Sequence, residues 1–282
     1  MDKKNLLAGK RIAVIGGSGN VGSLLAKKLA QVEGIGGVVA TGRDAQKLHT
    51  LSQEGIETST DNVQAVQEAD IVLLCVKPQQ MKGVVAQIGA HAQGKIVVSV
   101  AAGVPLEYLE RELAGAAVVR CMPNLCASIG MSQTAVATNS KNGEGAIARA
   151  MLSLLGKTYE VEEKQVAVWT SVCASGPAFL VRAAVRNIRD EHMLPCMEDA
   201  LCREGFGKSE AAQIARDVLS STKRLMEERE WGAAEFVKKV ASRKGTTRAG
   251  LKAWGRKFDE EGLSSAFEAA KLRAQEIERG FA

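Results

Sequence analysis

Through the first half of the chain, short apolar runs alternate with stretches that are apolar on one face only. Arg11–Ile15, Gly37–Thr41, Ile71–Val76, Ile96–Val100 and Val118–Cys121 read as strands. Between them, Val21–Gln31, Ala45–Gln53 and Gln79–His91 repeat apolar residues every three or four positions among Ala, Leu and Lys, which predicts helices burying one stripe. Strand and helix in alternation give right-handed crossovers and a parallel sheet covered on both faces. Ile71-Val72-Leu73-Leu74-Cys75-Val76 is apolar without a break, as a strand buried on both faces must be, so it is expected at the centre.

The texture changes near Glu162. Strand-like runs vanish, and successive helices rich in Ala, Glu, Lys and Arg are expected out to Gly280. The expected division is an α/β domain over 1–161, with a doubly wound, mainly parallel sheet, and an all-α domain over 162–282. Helical patterns at Ala178–His192 and Ala211–Glu228 carry apolar faces that a domain of this size struggles to cover alone, which predicts partner helices and a homodimer.

Length and charge narrow the function classes. A chain of 282 residues has room for two cores. With a net charge of +5 and basic residues interleaved with acids, it shows no stripe for nucleic acid, and its mild positive bias suits small anions. No apolar run is expected to reach the roughly 18 residues of a membrane span, and no apolar signal core follows Met1–Asn5, so a cytoplasmic protein is expected. The six cysteines lack Cys-x-x-Cys spacing and the three histidines lack ligand spacing; reduced thiols and no structural metal are expected.

The clearest chemistry lies in the segment Gly17-Ser18-Gly19-Asn20-Val21-Gly22. It fits G-x-G-x-x-G, and it stands directly after the strand Arg11–Ile15 and opens a helical pattern. Such glycines let backbone approach a pyrophosphate whose charge the helix start stabilises. That arrangement defines a Rossmann domain and makes a dinucleotide the expected cofactor. The second strand ends in Thr41-Gly42-Arg43, without the acid that usually grips the ribose of NAD. Thr41, the Gly42 amide and Arg43, with Lys47 one turn on, suit a 2′-phosphate, so NADP(H) is expected over NAD(H). Asp44 leaves the alternative open, because an acid one residue late could still reach a ribose.

Four further segments carry a resemblance: Cys75-Val76-Lys77-Pro78-Gln79, Val98-Ser99-Val100-Ala101-Ala102-Gly103-Val104, Arg120-Cys121-Met122-Pro123-Asn124 and Ala174-Ser175-Gly176-Pro177-Ala178-Phe179. In this order, and with Gly245-Thr246-Thr247-Arg248-Ala249-Gly250-Leu251, the chain resembles the pyrroline-5-carboxylate reductases from about Arg11 to Arg273. The resemblance implies NAD(P)H-dependent reduction of a cyclic imino acid to proline, and a helical dimerisation domain. It implies cofactor contacts at Gly17 to Gly22, Thr41, Arg43, Asn62, Lys77, Pro78, Ala101 and Ala102. It implies substrate contacts at Gly245, Thr246, Thr247 and Glu163, with Thr247 beside the ring nitrogen and Thr246 and Thr247 as the catalytic candidates. Val-Lys-Pro ends the central strand, where open α/β sheets bind ligands, and the small Ala101 and Ala102 let a flat ring lie close to backbone. Met122-Pro123-Asn124 is expected to close the same crevice.

The chain departs from that pattern in places. Ser242-Arg243-Lys244 stands where the family has Ser-Pro-Gly, Lys239 stands where Asn is frequent, and Leu125 replaces a usual Thr. Between Phe179 and Ala200 lies a longer stretch with Arg182, Arg186, Arg189 and the breaker Leu194-Pro195, expected to alter the dimer seam. Gly16-Gly17 with Gly19-Asn20-Val21-Gly22 also resembles the NADP-binding domains of coenzyme F420-dependent reductases. Beside the leading reading stand a paralogue reducing another imine or a carbonyl, and a non-catalytic NADP-binding dimer.

Overall fold

The computed structural model describes residues 3–255 and 260–281, so residues 1–2 and 282, at the ends of the two expected domains, lie outside the described residues. Eight strands form one sheet: β1 Arg11–Ile15, β2 Gly37–Thr41, β3 Glu57–Ser59, β4 Ile71–Leu74, β5 Ile96–Ser99, β6 Ala117–Met122, β7 Ser132–Ala137 and β8 Gly156–Glu160. Their spatial order is β3-β2-β1-β4-β5-β6-β7-β8, and the pairs from β3 through β6 are parallel. The strand order reverses between β1 and β4, the switch point at which doubly wound sheets bind ligands beyond the strands' carboxyl ends. All four residues of β4 are buried, as expected of a central strand.

Three strands gave no apolar run to read. β3 is a three-residue edge strand, and β8 carries Lys, Thr, Tyr and Glu with little burial. β7 is wholly buried yet begins Ser-Gln-Thr, a polarity tolerated because Ser132 and Thr134 bond each other at 3.0 Å and Gln133 bonds the Met131 carbonyl at 2.9 Å.

The chain divides into two compact units, one of residues 1–121, 136–163 and 281 and the other of 122–135 and 164–280. A single cut between 161 and 162 makes no provision for the excursion 122–135. Asn124 shows why this segment goes with the helices. Its side chain donates to Gln133 and to the Cys173 carbonyl at 2.9 and 3.0 Å and accepts from the Cys126 amide at 3.1 Å. With both amide protons spent, Asn124 is a clamp inside the helical unit.

That unit is built from helices Gly176–Val185, Asp190–Arg203, Lys208–Arg229, Ala233–Val240, Thr246–Trp254 and Glu260–Arg279, preceded by the short Val166–Trp169 and a π-helical stretch, Thr170–Ser175. Phe179 anchors its core, edge-on to Phe267 at 5.4 Å and to Trp254 at 6.4 Å between ring centres. Gly250 lets helix Thr246–Trp254 reach that core, since a Cβ there would lie 2.4 Å from the Phe179 ring and 2.6 Å from the Ala266 carbonyl oxygen. Gly250→Ala is therefore expected to destabilise the protein by about 2 kcal/mol, measured as a lower denaturation midpoint at unchanged slope.

Three expectations are corrected here. The helix expected over Ala178–His192 stops at Val185, because Asn187 turns left-handed at φ 60° and Ile188 folds back to bond the Ala183 carbonyl at 3.1 Å. Pro195 does not break the chain but sits inside helix Asp190–Arg203, near its start, where the hydrogen bond it forfeits falls on the carbonyl of the exposed Glu191. The run Glu163–Val185, 23 residues with mean hydropathy 1.3 in its most apolar window, is long and apolar enough to cross a membrane, contrary to the expectation of none. Of that window 89% is buried within the molecule, so its apolarity belongs to a core rather than a lipid face.

Candidate active site

The glycine loop turns as soon as β1 ends. Gly16, at φ 83°, takes the left-handed corner, and a Cβ there would lie 2.8 Å from Val76. Gly17 bonds the Thr41 carbonyl at 2.7 Å and packs under Ala40, where a Cβ would approach to 2.7 Å. Gly22 presses the helix Asn20–Ala30 onto the loop, since a Cβ there would stand 2.4 Å from the Gly16 carbonyl oxygen. The corner therefore belongs to Gly16, which the G-x-G-x-x-G pattern leaves out, while Gly17 and Gly22 supply close packing. Gly19 precedes the helix with extended backbone and no side-chain cap, leaving first-turn amides for an anion.

A groove of about 610 Å³ opens beside this loop. Of the expected cofactor residues it is lined by Ser18, Gly19, Arg43, Asn62 and Lys77, together with Asp44, Lys47, Cys75, Gln79, Gln80 and Gln87. Gly17, Asn20, Val21, Gly22, Thr41, Pro78, Ala101 and Ala102 are not among its walls. Thr41 is fully buried and donates to Asn62 at 2.6 Å; Asn62 in turn donates to Gln87 at 2.9 Å. Thr41 thus acts through Asn62, whose amide group is fixed with its nitrogen toward Gln87. No strand or loop motif marked Gln87; the periodicity of helix Pro78–Ile88 was the available signal. Pro78 opens that helix at its first position, where its missing N–H costs nothing, and Ala101 is buried just beyond β5.

Asp44 is engaged elsewhere. It caps helix Ala45–Gln53 by accepting from the Lys47 amide at 3.1 Å, which holds its carboxyl below the usual range, and it lies 3.5 Å from the Lys47 ammonium. Arg43 and Lys77 make no ion pair among the described residues. The wall thus offers cations and amide donors, the chemistry that holds a pyrophosphate and a phosphorylated ribose. Cys75 stays a thiol, since burial pushes it up to about 12. None of the six cysteines forms a disulfide.

The second constellation lies in the helical unit. Gly245 is the N-cap of helix Thr246–Trp254, with a bond from its own amide to the Ser242 carbonyl at 3.2 Å. The amides of Thr246, Thr247 and Arg248 follow in the first turn, where the helix supplies no acceptor. The two threonine hydroxyls converge on one atom, with Thr247 donating to Ser175 Oγ at 3.0 Å and Thr246 sharing a bond with it at 2.9 Å. Ser175 is buried at the end of the π-helical stretch, and Thr247 is 4% exposed. Lys244 precedes this turn in a left-handed conformation, φ 59°, its carbonyl held by Arg273 at 3.1 Å. Lys244, Arg248, Lys252 and Arg273 line one shallow groove with Gly245. Lys239 has its ammonium 5.2 Å from the Trp231 ring centre and 3.8 Å from Glu235. Arg182 and Arg186 from the longer stretch stack on Trp254, at 5.4 and 5.3 Å from its ring.

Glu163 is engaged within the sheet unit. Its Oε1 accepts from the buried Arg120 at 2.6 Å and from the Leu106 amide at 3.1 Å, at the start of helix Leu106–Glu112. The carboxylate that resemblance made a substrate contact is bound into the sheet unit by a guanidinium and a helix start.

Comparison with known proteins separates the two halves in the same order. Residues 11–103 match the family described as NADP oxidoreductase, coenzyme F420-dependent, and residues 163–277 match pyrroline-5-carboxylate reductase dimerisation. The chain is 31% identical to the pyrroline-5-carboxylate reductase of Methanosarcina acetivorans, over 79% of this chain and 78% of that protein. It belongs to the pyrroline-5-carboxylate reductase family. The reductase of Thermus thermophilus is 32% identical over 74% of this chain and 76% of its own length. The solved reductase of Coxiella burnetii superposes with a TM-score of 0.64 at 25% identity, covering 95% of this chain and 98% of that one. Membership in the pyrroline-5-carboxylate reductase family agrees with the doubly wound sheet followed by a helical dimerisation domain.

Proposed function

We propose that this chain reduces 1-pyrroline-5-carboxylate to proline with NADPH, as a homodimer. The observation that carries the reading is the pairing of a cation-walled dinucleotide groove with a Gly-Thr-Thr helix start, in one chain of this family. Arg43, Lys47, Asn62, Lys77 and the Gly16–Gly22 loop hold the dinucleotide. When bound, the reduced nicotinamide supplies a hydride to the imine carbon.

The chain's own residues then have three tasks. The free amides of Thr246 and Thr247 bind the substrate carboxylate at the positive end of their helix. The Thr247 hydroxyl fixes the ring nitrogen. Positioning and electrostatics carry the rate, so no histidine base is needed. NADPH absorbance followed with pyrroline-5-carboxylate and then with a panel of related imines tests the reading: a saturable decline with pyrroline-5-carboxylate is expected, and no oxidation with any of them despite measurable NADPH binding would leave a non-catalytic NADP-binding dimer.

Arg43→Ala is expected to weaken NADPH binding about twentyfold and NADH binding less than threefold, because a hydrogen bond to a charged group is worth about 1.5–3 kcal/mol. Equal losses in a titration of both dinucleotides would remove the 2′-phosphate contact. A second reading, a cyclic imino acid with an additional carboxylate, is favoured by the cations Lys244, Arg248, Lys252 and Arg273 beside Gly245. A higher kcat/KM for such a dicarboxylate than for pyrroline-5-carboxylate decides for it.

A further inference from the structure

We infer that Ser175 is a positioning residue that sets the direction of the Thr247 hydroxyl, so that Thr247 accepts the N–H of a protonated cyclic imine instead of donating a proton. The inference rests on the reading that Thr247 faces the ring nitrogen. A hydroxyl has one proton and two lone pairs. The Thr247 proton goes to Ser175 Oγ at 3.0 Å, leaving only lone pairs for a ligand. Both oxygens are shielded, Ser175 at 1% and Thr247 at 4% exposure, so water does not compete for the bond. Ser175 is held in turn from the other side by the Thr246 hydroxyl at 2.9 Å. The π-helical stretch Thr170–Ser175 ends at this serine, and such bulges recur where a helix must re-aim a functional side chain.

An acceptor at that point selects the iminium form of the substrate, the more electrophilic one. Reduction adds a hydride to the imine carbon and moves the C=N π pair onto nitrogen, which keeps its proton. The product is the neutral secondary amine, and it takes its second proton from solvent after leaving Thr247. No acid from the protein is required in the step.

Ser175→Ala removes the acceptor and frees the Thr247 proton to point at the nitrogen. The test compares pH profiles of kcat/KM for the wild type and Ser175→Ala, with NADPH affinity measured by titration. In the wild type, kcat/KM falls tenfold per pH unit above the imine's own pKa. In Ser175→Ala, the low-pH plateau is expected to drop about thirtyfold while the alkaline limb moves to higher pH, because a donating Thr247 can also hold the neutral imine. NADPH affinity is expected to stay within twofold. A profile with unchanged plateau and limb overturns the inference. If Ser175→Ala fails to fold, Ser175→Cys replaces it; its weak acceptor is expected to give an intermediate plateau and limb, and a wild-type profile overturns the inference equally. A wild type that binds NADPH but reduces no imine strikes the proposed function instead, so the two failures are distinguishable.

Discussion

Thr247→Ala is expected to lower kcat/KM for pyrroline-5-carboxylate about a hundredfold, with NADPH affinity within twofold of the wild type. The hydroxyl is a single buried acceptor for a charged N–H, and the loss of such a bond costs about 3 kcal/mol, two decades in rate. The backbone amides that hold the carboxylate survive the substitution, but Thr247 also holds the bound iminium, so the loss is expected in both KM and kcat. The substitution removes Oγ1 and Cγ2 and leaves only Cβ, while Ser175 keeps its partner at Thr246. Steady-state kinetics together with a dinucleotide titration check this; an unchanged kcat clears Thr247 of any part in the step.

Glu163→Ala is expected to lower Tm by about 6–10 °C without raising KM. Arg120 is 2% exposed, and its bond to Glu163 at 2.6 Å brings a carboxylate to a guanidinium that cannot reach bulk water. Removing the carboxylate from this half-buried pair, with the Leu106 amide losing its acceptor at the same time, costs about 3 kcal/mol in all. In a protein of this size each kcal/mol corresponds to roughly 2–4 °C. Glu163→Gln keeps an acceptor for both donors and is expected to lose less than half as much. Thermal melts and KM values for the two variants are the check. An unchanged Tm with a raised KM would restore Glu163 to the substrate site.

How much of this was legible before the structure depended on where the information sits. β1, β2 and β4 announced themselves because strands buried on both faces must be apolar, and the loop after β1 because only glycine fits against the Gly16 carbonyl and Ala40. β3, β7 and β8 were illegible for the opposite reason: the first is a short edge strand, β7 hides its polarity in internal hydrogen bonds, and β8 is half exposed. The threonine turn was visible as a motif, but its closure on Ser175 was not. Seventy-two positions separate Thr247 from Ser175, and no periodicity links a helix start to a π-helical stretch so far away. Resemblance supplied Glu163 as a residue type without its partner. The partner, Arg120, lies on a buried strand where an arginine must be paired, and that pairing was the missing signal.

The most direct measurement follows the hydrogen itself. The protein is incubated with pyrroline-5-carboxylate and NADPH carrying deuterium at either face of C4, and the proline formed is weighed by mass spectrometry. The account predicts one deuterium at proline C5 from one of the two labelled faces and none from the other. Proline without label from either face, or no proline at all from a protein that binds NADPH, would contradict it.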